Sequence, residues 1–245
     1  MDEKEAIRAL KDVKNILDEE DITYWLESGT LLGAVRNGRF IPWDGDIDLG
    51  LFREDYIKVK RLLKSLPDRY EVDYSKEHVF SKENIFVHYK SVDIGIHFYS
   101  VQNNYAVRHY CNILREPYIS SVLRSIAKLI KNNDKGTIKK AAQNFPVEIT
   151  ILISNFISIL PLRLKKKLIS LFTSITNKFS YEETLKVAVP IKYFNNLSKM
   201  KFYGMEFNVP ESAEEYLEYR YGEDWKTPKR DYVYYEEDGS IVNNQ

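Results

Sequence analysis

The stretch Asp46-Ile47-Asp48-Leu49 alternates acid and aliphatic, then continues as Gly50-Leu51-Phe52. Alternation with period two marks a β-strand with one buried face. Ile47 and Leu49 then enter a core, while Asp46 and Asp48 share the opposite face. Two carboxylates so close on a rigid strand repel each other unless a cation lies between them. This demand limits the chain to folds that open such a strand to solvent or ligand. Just upstream is Ile41-Pro42-Trp43-Asp44-Gly45, in which Pro42 keeps Ile41 extended.

The neighbouring patterns place this strand in a mixed α/β unit. Residues 3–20 read as an amphipathic helix with Ile7, Leu10, the Lys14 stem and Leu17 on one face. Thr23–Leu26 is β-prone. Ser28-Gly29-Thr30 opens a helix over Leu31–Arg36 that Asn37-Gly38 ends. Arg53–Leu66 returns to helical period. Glu71–Tyr74, Ile85–Tyr89 and Val92–Tyr99 read as strands, and Asn103-Asn104 as a hairpin turn into Tyr105–Tyr110. Residues 119–180 read as helices. Lys201–Val209 is a β-ribbon around Gly204. Ser212-Ala213-Glu214-Glu215 has the capping-box pattern before a helix Ala213–Tyr221, which Gly222 stops. The polar tail from Glu236 is expected to fray. The expected class is α+β: a small mixed sheet with flanking helices and a helical insertion. The expected parts are a catalytic core 1–118, a basic and apolar helical segment 119–180, and a C-terminal part 181–245 that completes the site.

Charge sharpens this division. The chain has 245 residues, 36 basic and 36 acidic, so its formal charge is zero. Residues 119–180 hold eleven basic and two acidic side chains, a local +9, and the remainder carries −9. A uniformly basic nucleic-acid binder is excluded, and a locally basic surface is not. One cysteine, Cys111, rules out an internal disulfide framework and a Cys-rich zinc site. Cys111 itself reads as a small core residue. The charged N-terminus lacks an apolar signal core, and no run of about 18 apolar residues exists. A reducing, cytoplasmic setting is expected.

An isolated D-x-D string is weak evidence, since a solvated acidic turn has the same letters. Two further features add weight. Ser28-Gly29-Thr30 precedes a helix whose free N–H groups can hold phosphate. Val92-Asp93-Ile94-Gly95-Ile96 is a second strand with one acid among apolar residues. If it lies beside Asp46–Asp48, Asp93 completes a three-carboxylate site. Otherwise Asp93 marks a strand end. Oxygen ligands with open positions suit Mg²⁺ or Mn²⁺, which keep substrate phosphates as ligands.

The ordered run Tyr24-Trp25-Leu26-Glu27-Ser28-Gly29-Thr30-Leu31-Leu32-Gly33-Ala34-Val35-Arg36, Gly38, Ile41-Pro42-Trp43-Asp44-x-Asp46-x-Asp48 strongly resembles the LicD family. That family includes bacterial phosphocholine transferases and the catalytic domains of fukutin-related proteins. Tyr219-Arg220-Tyr221-Gly222-x-Asp224-Trp225-x-x-Pro228 resembles its C-terminal motif, and residues 100–200 carry little that matches. The resemblance implies a nucleotidyltransferase-like fold of the polymerase-β type. It also implies transfer of a phospho-alcohol from a CDP-linked donor, phosphocholine above all, to a hydroxyl of a glycan or glycolipid, releasing CMP. By position, Asp46 and Asp48 become metal ligands for Mg²⁺ or Mn²⁺, and Asp93 the candidate third carboxylate. Ser28, Gly29 and Thr30 match the phosphate-side turn. Gly45 departs from relatives that have an acid there, so Asp44 is left as a substrate-side or turn-forming residue beside Trp43.

The other residues keep two readings each. Arg36 can clamp a phosphate or simply complement its helix C-terminus. Arg220 can hold phosphate, and Tyr221, Asp224 and Trp225 can face a quaternary ammonium or seal a helix onto the core. His97 reads first as a structural histidine and second as a catalytic assistant. His78, His88 and His109 lack metal-ligand spacing. Residues 147–179 read as an interfacial helix pair on anionic lipid, at the inner face of the membrane, or as a helical subdomain with a solvated basic face. No recognisable nucleic-acid module accompanies the charges. Competing classes are transferases of CDP-ribitol or CDP-glycerol, a nucleotide-sugar glycosyltransferase, and a membrane-binding pseudoenzyme.

Overall fold

The computed structural model describes residues 1–74, 84–115, 118–132, 147–179 and 181–243. His78, Asp134, Lys135, Lys139 and Lys140 lie outside them, and so do the side chains of Cys111 and Glu148. The chain forms two compact units, one of Met1–Asn112 with Thr184–Gln245 and one of Ile113–Glu183.

The first unit is built on a mixed sheet. Helix α1 (Glu3–Glu19) starts at Asp2, whose Oδ1 accepts the Glu5 N–H at 3.0 Å. It buries Ala6, Ala9, Leu10, Val13 and Leu17. The stripe is centred one position away from the one expected: Ile7 is only partly buried, and two alanines let the helix lie close to the sheet. Strand β1 (Tyr24–Leu26) pairs antiparallel with β2 (Asp46–Phe52). Strands β3 (Glu71–Asp73) and β4 (Asn84–Tyr89) pair antiparallel, and β4 pairs the first half of β5 (Val92–Gln102). Strand β2 runs parallel to β5, with Asp46 opposite Asp93 and Asp48 opposite Gly95. The strand adjacency that the sequence reading had to assume is therefore present.

The sheet continues through β6 (Tyr105–Arg115) and β7 (Tyr181–Pro190) to the short β10 (Ile241–Asn243), in the order β1-β2-β5-β6-β7-β10. Asn103 and Asn104, at φ 48° and 64°, make the two-residue turn between β5 and β6. A second ribbon, β8 (Leu197–Phe202) with β9 (Met205–Pro210), turns at Tyr203 and Gly204 in the same way. Trp25 is fully buried and stacks on Phe194, 4.5 Å between ring centres.

Between β1 and β2 lies α2 (Ser28–Asn37), and after β2 comes α3 (Tyr56–Leu62), flanked by single 3-10 turns. Before β8 lies the short α7 (Lys192–Asn195), and after β9 comes α8 (Ala213–Tyr221), which Gly222 ends at φ 85°. The capping box expected there does not form: Ser212 makes no side-chain cap bond. Its ψ of 55° is outside the extended region from which a cap hydroxyl reaches the N-terminal amides. The tail does not fray either. Residues Tyr234–Glu237 form α9, Asp238 and Ser240 are buried, and β10 pairs with β7. A polar segment is held here because its polar groups find partners inside the protein.

The second unit contains α4 (Tyr118–Lys131), α5 (Val147–Ile159) and α6 (Leu162–Phe179). Leu129, Ile130 and Ile157 form its small core, with Ile126, Ile153, Leu168, Ile169 and Phe172 packed against it. Among the described residues no helix is long and apolar enough to cross a membrane.

Candidate active site

The edge of the sheet where β2 begins opens into a cleft of about 570 Å³. Its floor is set by backbone bonds. Glu27 N–H donates to Asp48 O at 3.0 Å, and Asp48 N–H donates to Thr30 Oγ1 at 2.9 Å. These bonds bind the start of α2 to the start of β2. Thr30 is thereby a buried brace, while Ser28 and Gly29 line the cleft. Ser28 sits at φ 48°, a backbone region that side chains with a β-carbon avoid. Arg220 Nη1 donates to its Oγ at 3.2 Å.

Three aspartates crowd this floor. Asp44 lies directly over Gly29: a β-carbon there would be 2.2 Å from Asp44 Oδ2, so only glycine fits. Gly45 N–H donates to Asp44 Oδ1 at 3.0 Å. Asp46 opens to the cleft, and Asp48 is half-buried. Partial desolvation and the charges of Asp48 and Asp44 push the Asp46 carboxyl up to about 8. Burial and Asp48 also raise Asp44.

His97 meets Asp48 from β5. Its Nε2 is 2.8 Å from Asp48 Oδ1, and its Nδ1 is 3.0 Å from Asn84 Oδ1 on β4. Burial, followed by the Arg108 charge, lowers its proton affinity, while Asp48 opposes that shift. Opposite Asp48, Gly95 leaves the room this contact needs. A β-carbon at Gly95 would be 2.8 Å from His97 Nε2 and 3.0 Å from Asp48 Oδ1.

The three carboxylates expected to converge do so only in part. Asp93 is one rung across from Asp46, but its Oδ1 lies 2.6 Å from His88 Nδ1 and it does not line the cleft. Among the described residues no three His, Cys, Asp or Glu side chains form a ready-made metal cage. Asp44 takes the place beside Asp46 instead.

Arg220 is almost entirely buried between two acids. It forms ion pairs with Glu27 and Asp238, its Nε donates to Asp238 Oδ2 at 3.1 Å, and its Nη1 to Tyr216 OH at 3.1 Å. Tyr216 OH and Trp25 Nε1 each donate to Glu27 at 2.6 Å. The guanidinium offered by the sequence as a phosphate clamp is thus committed to holding α8, the β1–α2 junction and the C-terminal segment together. Burial opposes the Asp238 charge, yet Arg220 and Ser240 keep its carboxyl below the ordinary value.

The sequence reading assigned no role to Glu27, Asp238 or Arg108. An acid between Leu26 and Ser28 in a β-prone run was the signal available for Glu27. Nothing local distinguishes Asp238 from a solvated tail residue.

The remaining wall carries cations and aromatic rings. Arg36 lines the cleft, with Nη1 donating to Trp225 O at 3.4 Å and Nε to Asn37 Oδ1 at 2.8 Å. Arg108 is buried, with Nε donating to Tyr99 OH at 3.1 Å. Trp43 is 40% exposed, and the Arg230 guanidinium lies 4.9 Å above its ring. Tyr221, Asp224 and Trp225 line the same cleft.

Residues 21–118 match the family model described as LicD/FKTN/FKRP, nucleotidyltransferase domain. An uncharacterized protein of Rickettsia typhi is 37% identical over 102 residues, 39% of this chain and 33% of that one. Ribitol 5-phosphate transferase FKRP of Homo sapiens is 49% identical over 54 residues, 20% of this chain and 11% of that one. Lipopolysaccharide cholinephosphotransferase LicD of Haemophilus influenzae is 54% identical over 35 residues, 14% of this chain and 13% of that one. The matched stretches thus span a third or less of these relatives' own lengths. Among solved structures, ANT(2")-Ia aligns at 13% identity and a TM-score of 0.31, over 69% of this chain and 97% of that one, a likeness too distant to assign the fold.

Proposed function

We propose, on the match of residues 21–118 to the LicD/FKTN/FKRP family model, that the chain transfers a phospho-alcohol from a CDP-linked donor to a hydroxyl of a glycan or glycolipid, releasing CMP. We read the first unit as a nucleotidyltransferase-like fold of the polymerase-β type. The observation that carries the reading is the crowding of Asp44, Asp46 and Asp48 beside the cleft-lining first turn of α2. An anionic diphosphate would not approach three carboxylates unless a cation came with it.

The donor set suits Mg²⁺ or Mn²⁺. Such ions are held by one or two carboxylates and complete their shell with water and substrate phosphate, so no protein cage is required. Asp46 and Asp48 would hold the ion, and His97 fixes the orientation of Asp48. When bound, the ion supplies neutralisation of charge on the donor phosphates. Asp93 would join it only if its pair with His88 opened.

This chain's own groups do the rest. The N-terminal turn of α2 offers free backbone N–H groups to phosphate. Glu27, at its N-cap position, spends its carboxylate elsewhere and leaves them uncapped. Arg36 faces the same space. The acceptor oxygen forms a bond to the phosphorus that bears the alcohol, and the bond from that phosphorus to the CMP oxygen breaks. Asp44, which lines the cleft beside Asp46 and has a raised proton affinity, would take the acceptor proton.

Phosphocholine is the first choice of transferred group, because Trp43 already carries a cation on its exposed face. A polyol phosphate is the second. The same guanidinium fills that platform, and Arg36 and Arg108 add positive charge to the wall. A screen of CMP release from CDP-choline, CDP-ribitol and CDP-glycerol, with Mg²⁺ or Mn²⁺ and with UDP-sugars as controls, separates these readings. Release from CDP-choline alone supports the first. Turnover of UDP-sugars alone would sink the CDP-donor assignment.

A further inference from the structure

The helical unit of residues 113–183 has a surface that its own core does not use. Helix α5 keeps Ile153 and Ile157 toward the core but turns most of its large apolar side chains the other way. It buries Thr150 and Ser154 and turns Ile149, Ile151, Leu152, Phe156 and Ile159 to solvent, with Leu152, Phe156 and Ile159 67%, 61% and 77% exposed. A helix folded for water does the reverse.

The start of α6 continues the pattern. Leu162 and Leu164 are exposed, and Arg163, Lys166 and Lys167 are exposed among them. The 119–180 segment has eleven basic and two acidic residues. Apolar and cationic side chains therefore share one exposed stretch of chain.

We propose that α5 and the start of α6 form a peripheral docking surface for an anionic phospholipid bilayer. Helix α5 has 13 residues, about 20 Å of helix, against about 30 Å of bilayer hydrocarbon. It lies in the interface plane, with Ile149, Ile151, Leu152, Phe156 and Ile159 among the upper acyl chains and the basic groups at headgroup phosphates. A second copy of the chain would fit less well, because it would bring two +9 segments together. A nucleic acid would satisfy the charges and leave the apolar face in water. The proposal stands independently of the donor chemistry and needs no turnover to be tested.

The full chain is floated with vesicles of phosphatidylcholine alone and of phosphatidylcholine mixed with phosphatidylglycerol. Flotation with the mixed vesicles, reduced by salt and weaker with the neutral ones, is the expected result. Leu152→Ser with Phe156→Ser should abolish it without lowering the melting temperature, since both side chains lie outside the core. Arg163→Gln with Lys166→Gln and Lys167→Gln should weaken binding to the mixed vesicles on the order of a hundredfold. A folded sample that floats with neither vesicle overturns the proposal. So does a stable dimer that Phe156→Ser returns to monomer, because the apolar face would then belong to a second copy.

Discussion

The first unit contains two groups of acids around one cleft, and they are neutralised in opposite ways. Glu27 and Asp238 close on Arg220, with Tyr216, Trp25 and Ser240 completing their hydrogen bonds. Asp44, Asp46 and Asp48 have each other, His97 and the Gly45 amide. Among the described residues no lysine or arginine forms an ion pair with them. The first group is neutralised by the fold, and the second is not. Charge satisfied internally belongs to the structure. Charge left in tension on a rigid strand costs stability and, on the function proposed above, would favour a cation.

The largest effect expected is on the unsatisfied group. Asp46→Asn and Asp48→Asn should reduce CMP release to background while circular dichroism and melting stay those of a folded chain. Full activity in either variant would remove the metal assignment. The satisfied group should respond in the other currency: Arg220→Met leaves Glu27 and Asp238 buried without a cation and should cost about 3–5 kcal/mol of stability. An unchanged melting temperature would mean that the network is not a lock.

The two groups also differ in their response to pH. Asp238 is held below its ordinary value of 3.8, so its stabilisation is present above that pH. It is lost as pH falls through the lower folded value. Asp46 has the opposite sign. Its folded value is about 8 against an ordinary 3.8, so the folded state binds the proton more tightly, and stability falls as pH rises between those values. Melting in chelator should therefore decline toward pH 8, and Asp46→Asn should flatten that decline. Mg²⁺ should raise the melting temperature more at pH 8 than at pH 5. A metal effect independent of pH would break the link between the cation and Asp46. The smallest effect expected is that of His97→Gln, a loss of about 10–100-fold in activity through misplacement of Asp48, with the variant still folded.

Much of the floor of the candidate site was legible in the sequence. The alternation through Asp46–Leu49, the Ser28-Gly29-Thr30 helix start and the Asn103-Asn104 turn are short-range patterns, and each appears where its period or turn chemistry requires. What failed depended on distant partners. Ser212-Ala213-Glu214-Glu215 has capping letters, but Ser212 makes no cap bond, and Glu211 just before it donates its N–H to Asn196 O at 3.1 Å. The tail at Glu236–Ser240 looks solvated until Arg220, 18 residues before Asp238, is placed beside it. Arg220 looked free for phosphate for the same reason.

The sequence by itself determined the strand that carries the carboxylates, their shared face and the charge division between the two units, because side-chain period and composition are local properties. Only the tertiary structure decided which acids are neutralised by the fold and which are left without a basic partner among the described residues, and that α5 turns most of its large apolar side chains outward. Those outcomes depend on pairings between residues far apart in the chain, such as Glu27 with Arg220 and Asp48 with His97. No local pattern encodes the low-dielectric neighbourhood that such pairs create.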